Sequence, residues 1–279
     1  MRRALVALPV AVLALVAGPA GAHLEIEVLE RAAADEVAER PEDPEVRVRQ
    51  AQVYRAAGEW DEALAALEHA AEHGADPDLV AAERGRVFLD AGRPRAAKIQ
   101  FDRVLRRRPD AFGVLLQRGR AWVQLGHPGR AARDLGAAVA GMPRPAPEDV
   151  FAWRDALVAA GRREDALRAL DRGIARLGRV PSLALAALDL EVALGRHQAA
   201  LARLDRLLAE SPRNEAWLAR RGELLERAGR RDEARGAYAR ALELIATRPA
   251  ERRGKRIEAL EHRLRTALAE TGTPTEGKP

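Results

Sequence analysis

His69-Ala70-Ala71-Glu72-His73 places two imidazoles four residues apart with a carboxylate between them. On a helix that spacing puts both rings on one face. There they can share a zinc ion while a glutamate takes a proton from metal-bound water. The chemistry so specified is metal-dependent hydrolysis. It needs a third protein ligand, a cavity that excludes bulk water, and partners that orient the imidazoles. Elsewhere no Ser-His-Asp arrangement can be drawn, and no glycine loop of the kind that cradles phosphate occurs. His23, His127, His197 and His262 stand apart from one another in the chain.

Composition narrows the field. None of the 279 residues is cysteine, so disulfides, thiolate metal sites and cysteine nucleophiles are excluded. Lys and Arg number 47 against 42 Asp and Glu, a small surplus that predicts a surface of mixed sign. The pI near 10.3 reflects arginine, which stays charged throughout. The longest basic run, Arg106-Arg107-Arg108, reads as a solvated helix end, and no nucleic-acid partner is expected. Ala, Leu, Arg and Glu dominate, all strong helix formers.

The first residues form a separate signal. Met1-Arg2-Arg3 is followed by an uncharged apolar run from Ala4 to Gly18 and then by Ala20-Gly21-Ala22. A basic start, an apolar stretch and an A-x-A exit describe a secretory signal peptide over residues 1–22, cleaved after Ala22. The alternative is an uncleaved membrane anchor. Cleavage implies an exported protein, periplasmic or extracellular, with no membrane span in the mature chain and no disulfide to stabilise it. His23 would then be the new N-terminus, an amine and imidazole pair without a further ligand.

What must position any of these residues is a repeat. Glycines recur at Gly58, Gly92, Gly126, Gly161, Gly195 and Gly229, spaced by 34, 34, 35, 34 and 34 residues. Five residues after each stands alanine: Ala63, Ala97, Ala131, Ala166, Ala200 and Ala234. Four before come Tyr54, Phe88, Trp122, Leu157, Glu191 and Leu225, and nine after come Leu67, Phe101, Leu135, Leu170, Leu204 and Tyr238. Seven before, small residues stand at Ala51, Gly85, Gly119 and Gly222, whereas Arg154 and Leu188 depart from that size. Each unit reads as a helix, a glycine turn and a second helix, with alanine permitting close approach and bulky residues filling between. Pro109, Pro143 and Pro212 close three of the units. One hairpin cannot bury its apolar side alone, so neighbours stack.

These positions resemble those of the tetratricopeptide repeat family, with "VYRAAGEWDEALAALEHAAE" from Val53 and "RAGRRDEARGAYARALEL" from Arg227 matching best. The expected fold is all-α: an α-solenoid of about six helix-turn-helix hairpins over residues 44–249. A capping helix is expected over 23–43 and another over 250–270, with a disordered tail over 271–279. The stretch from Gly141 to Asp149 is the loosest joint. The resemblance implies a right-handed superhelix whose first helices line a concave groove, and a peptide or helix of a partner protein in that groove.

The repeat also judges the histidines. The counterparts of His69 are Arg103, Ala137, Arg172, Arg206 and Arg240, a water-facing set. His69 and His73 then sit near the end of an ordinary second helix, and neither a metal nor another cofactor is expected. A zinc hydrolase built on His69, Glu72 and His73 is the alternative function, and a self-associating structural protein is a third. On the face implied as inner, the row six before each glycine is Gln52, Arg86, Arg120, Asp155, Asp189 and Glu223. It passes from neutral to basic to acidic. Leu116, Val123, Phe151, Val158, Leu185 and Val192 offer an apolar floor. The expectation is a non-catalytic scaffold that binds a segment of another exported or envelope protein, or a second copy of the chain. The alternative is that the opposing charges pair with each other and the valines belong to the core between repeats.

Overall fold

A computed structural model describes residues 19–211, 214–249 and 254–272, with side chains from residue 26 onward. Most of the expected signal peptide (1–18), Pro212 and most of the expected tail lie outside the described residues. Within them there are fourteen helices and no strand. Six glycine-turned hairpins pair α2 (Pro44–Ala57) with α3 (Trp60–Glu72), α4 (Pro77–Asp90) with α5 (Pro94–Arg107), and α6 (Phe112–Gln124) with α7 (Pro128–Gly141). They continue with α8 (Pro147–Ala159) and α9 (Arg163–Leu177), α10 (Pro181–Ala193) and α11 (His197–Glu210), and α12 (Glu215–Arg227) and α13 (Arg231–Ala246). They are flanked by α1 (Pro19–Glu39) and α14 (Lys255–Gly272). The first helix therefore begins before Ala22, and the last runs from Lys255 to Gly272.

The turns follow from backbone chemistry. All six glycines are left-handed, with φ between 68° and 86°. The next residue's N–H donates to the carbonyl four before the glycine: Glu59 to Tyr54 at 2.9 Å, Arg93 to Phe88 at 2.8 Å and Arg196 to Glu191 at 2.7 Å, for example. That bond closes the first helix at a position where a side chain would be strained. Proline is the first residue of α2, α4, α5, α7, α8 and α10, where its missing N–H costs nothing. Asp43, Asp76 and Asn214 accept N–H bonds at the starts of α2, α4 and α12.

Packing explains the conserved spacing within the chain. The six alanines are each 0% exposed. A Cβ added to Gly119 would lie 2.6 Å from Cγ of Leu135, and one added to Gly222 would collide with the Tyr238 ring. Small on the first helix thus meets large on the second inside these hairpins, as Gly85 does at the Phe101 ring. Leu188 departs from that rule yet is buried with Leu204 in one apolar cluster. Two compact units result, 1–142 and 143–279, and their boundary falls within the loose Gly141–Asp149 joint. In the first, successive helices pack from α1 to α7, and the first helices α2, α4 and α6 also lie beside one another. In the second, successive helices pack from α8 to α14, with Leu260 and Leu264 of α14 buried.

Candidate functional site

In the first unit the row of first-helix residues is tied together across repeats. Gln52 Nε2 donates to Glu83 Oε1 at 2.9 Å, and Arg86 forms an ion pair with the same oxygen. Arg55 reaches Asp90 at 2.5 Å. Glu83, only 2% exposed, is the partner that sequence reasoning missed. Arg120 is exposed on α6. One turn away is Val123, 53% exposed, while Leu116 on the same helix is buried.

In the second unit Arg220 ties two members of the acidic row together. It donates to Asp189 at 2.8 Å and to Glu223 at 3.2 Å. Asp155 remains largely exposed beside Arg154, 2.6 Å away. Leu185 and Val192 are half-buried against the cluster formed by α10 to α14, and Phe151 and Val158 are half-buried on α8. A hollow of about 460 Å³ lies between α12 and α14, lined by Arg220, Glu223, Ile257 and Leu260 among others.

Two ionic bridges within the units stand behind these faces. Arg118 of α6 binds Asp134 of α7 at 2.6 and 2.9 Å and Asp102 of α5 at 2.9 Å. Burial alone would raise the Asp102 carboxyl, but hydrogen bonds from Lys98 and Arg118 hold it below its ordinary value. In the second unit Arg203 binds Glu191 at 2.6 and 3.0 Å and Asp171 of the preceding hairpin at 2.9 Å. Glu191, the one charged residue in the row four before the turn glycines, is thus a buried anion matched by a buried arginine. Asp102 and Asp171, like Asp205 beside Arg221, all stand ten after a turn glycine. That recurrence was a readable signal for contacts between repeats.

His69 and His73 sit at the end of α3 as expected, with His73 as its capping residue. Their rings stack 4.0 Å apart and 12° from parallel. His69 is half-buried, less open than its arginine counterparts suggest. Glu72 is exposed, and the carboxylate that approaches the pair is Glu42, from the turn between α1 and α2. His127 and His262 are exposed and His197 is half-buried at the start of α11.

No described helix is long and apolar enough to cross a membrane. The sequence profile of the tetratricopeptide repeat matches residues 26–79, 83–149 and 185–249, more than half of the chain. The unmatched interval between the last two segments holds the hairpin in which Arg154 breaks the small-residue rule. No curated protein sequence matches. Among solved structures, the C-terminal part of a TPR repeat-containing protein from Cytophaga hutchinsonii superposes with a TM-score of 0.61 at 14% identity. That likeness covers 86% of this chain and 98% of the other. A Pseudomonas aeruginosa pilF structure superposes with a TM-score of 0.51 at 16% identity, over 82% and 99%. At such identities the likeness is one of fold. On the profile match and the six glycine-turned hairpins together, the chain belongs to the tetratricopeptide repeat family.

Proposed function

We propose that this chain is an exported, non-catalytic scaffold that holds a peptide or helix of another envelope protein against its first helices. Family membership supports the broader part of that reading, a fold used for protein–protein interaction. The observation that carries the finer part is on α6, where Arg120 and the half-open Val123 share one face. An apolar side chain of this size left in water beside a cation suits a partner segment that brings an apolar anchor and an acidic residue. In the second unit, Asp155 and Asp189 are each 66% exposed beside the partly open Phe151, Val158, Leu185 and Val192. That face suits a basic segment. Apolar burial would supply most of the affinity, and the charges would set partner choice and direction. Export rests on the pattern of residues 1–22, and N-terminal sequencing of the protein from its native envelope tests it directly.

The binding face is tested by placing a photo-crosslinking residue at Val123 or, as a control on a second helix, at Arg103. Adducts to an envelope protein are expected from position 123. They should fade when Arg120 is changed to Glu and be sparse from position 103. Equal labelling from both positions, or labelling indifferent to Arg120→Glu, would refute the reading.

A further inference from the structure

We infer that Glu42, His69 and His73 form a binding site for a borderline divalent transition-metal ion, of which zinc(II) is the representative. The site is independent of the partner-binding reading. One ligand atom from each residue lies within 4.8 Å of the other two. Zinc holds nitrogen and oxygen donors at about 2.0–2.2 Å, so tetrahedral donors sit about 3.4 Å apart. The two rings stand stacked, so ligation requires them to turn until their in-plane lone pairs converge on one point; two of the three residues are exposed, which leaves them room to turn.

The hydrogen bonding already present favours ligation. His73 Nδ1 lies 2.8 Å from the backbone carbonyl of His69. A carbonyl only accepts, so Nδ1 carries the proton and Nε2 is left as the donor atom. Metal-bound histidines are oriented in this way, by a bond from the second ring nitrogen. Nε2 in turn meets the Glu42 carboxylate. A ring lone pair and a carboxylate oxygen do not attract each other. A cation seated between the two would satisfy both. Nδ1 of His69 is buried without any hydrogen-bond partner, so no protein group competes for that nitrogen.

The donor set selects the ion. Two imidazoles and one carboxylate, in a chain without thiols, suit zinc, nickel or copper(II) rather than calcium or magnesium, which favour oxygen alone. The sequence motif nominates Glu72, but the carboxylate that completes the group comes from 27 residues earlier in the chain than His69. A bound ion would therefore join the turn after α1 to the end of α3, clipping the N-terminal cap onto the first hairpin.

The test is calorimetric titration of zinc chloride into the untagged, chelator-treated chain, with thermal melts in zinc and in chelator. One zinc per chain is expected to bind. Affinity should fall at least tenfold in Glu42→Gln and about 100-fold in His73→Ala, with His127→Ala unchanged. Zinc should raise the melting temperature of the parent and not that of the His69→Ala/His73→Ala double variant. Circular dichroism matching the parent's separates folding from binding. Zinc binding retained in the double variant, affinity indifferent to Glu42→Gln, or no binding by the parent at millimolar zinc would each overturn the site.

Discussion

Substituting Gly222 by alanine sets two effects against each other. Helix propensity alone favours alanine by about 1 kcal/mol in a helix interior. At this position the new Cβ would meet three atoms of the Tyr238 ring, the farthest only 2.7 Å away. The ring has little room to move. Tyr238 is buried, and its hydroxyl donates to Glu226 at 2.7 Å. Forcing a methyl into a filled core costs about 1–3 kcal/mol, and contacts this close belong in the upper part of that range, about 2–3 kcal/mol, so net of propensity Gly222→Ala should lose about 1–2 kcal/mol. Gly236 lies in the interior of α13, the other helix of the same hairpin, with nothing within 4 Å of an added Cβ. There alanine should gain about 1 kcal/mol. Melts followed by circular dichroism should move in opposite directions, the first falling by about 3–6 °C. Hydrogen exchange should locate the loss in α12 and α13, because repeat stability is carried between neighbours. If Gly222→Ala proved as stable as the parent, the claim that small must meet large between α12 and α13 would fail.

Removing Arg203 should leave Glu191 charged, buried and unmatched, at a cost of about 3 kcal/mol. Removing Arg240, whose pair with Glu243 is exposed, should cost less than about 0.5 kcal/mol; denaturant midpoints compare the two. Burial, with a further push from the Glu226 carboxylate, holds the Tyr238 phenol well above its ordinary value. A proton held more tightly in the folded state stabilises fully below the unfolded value of about 10, and that contribution is lost as pH rises above it. Melting temperatures measured across alkaline pH should therefore fall less steeply in Tyr238→Phe than in the parent.

Much of the fold was legible because it is copied. A left-handed glycine, an alanine five later and a bulky residue nine later are local requirements of one hairpin, and writing them six times makes them visible against varied surroundings. Ile257, Leu260, Leu264 and Leu268 make α14 legible for a similar reason, since their spacing follows one helical face and helical periodicity is local. Glu191 is the one charge in the row four before the turn glycines. It is half of a buried ion pair whose other half, Arg203, lies on the facing helix. The row of Gln52 and Arg86 was readable as a row, but not its attachment to Glu83, which only the stacking of α2 beside α4 creates.

From its residues alone, this protein was determined to be helical, repeated and free of thiol chemistry, because those properties depend on composition and on spacings shorter than one hairpin. Which charges face each other, how far Val123 stays in water, and that Glu42 rather than Glu72 approaches the histidines were decided by tertiary structure. Side chains about thirty residues apart meet only when neighbouring helices pack in register. That register is set by the summed fit of many small and large residues, which no single spacing in the chain displays.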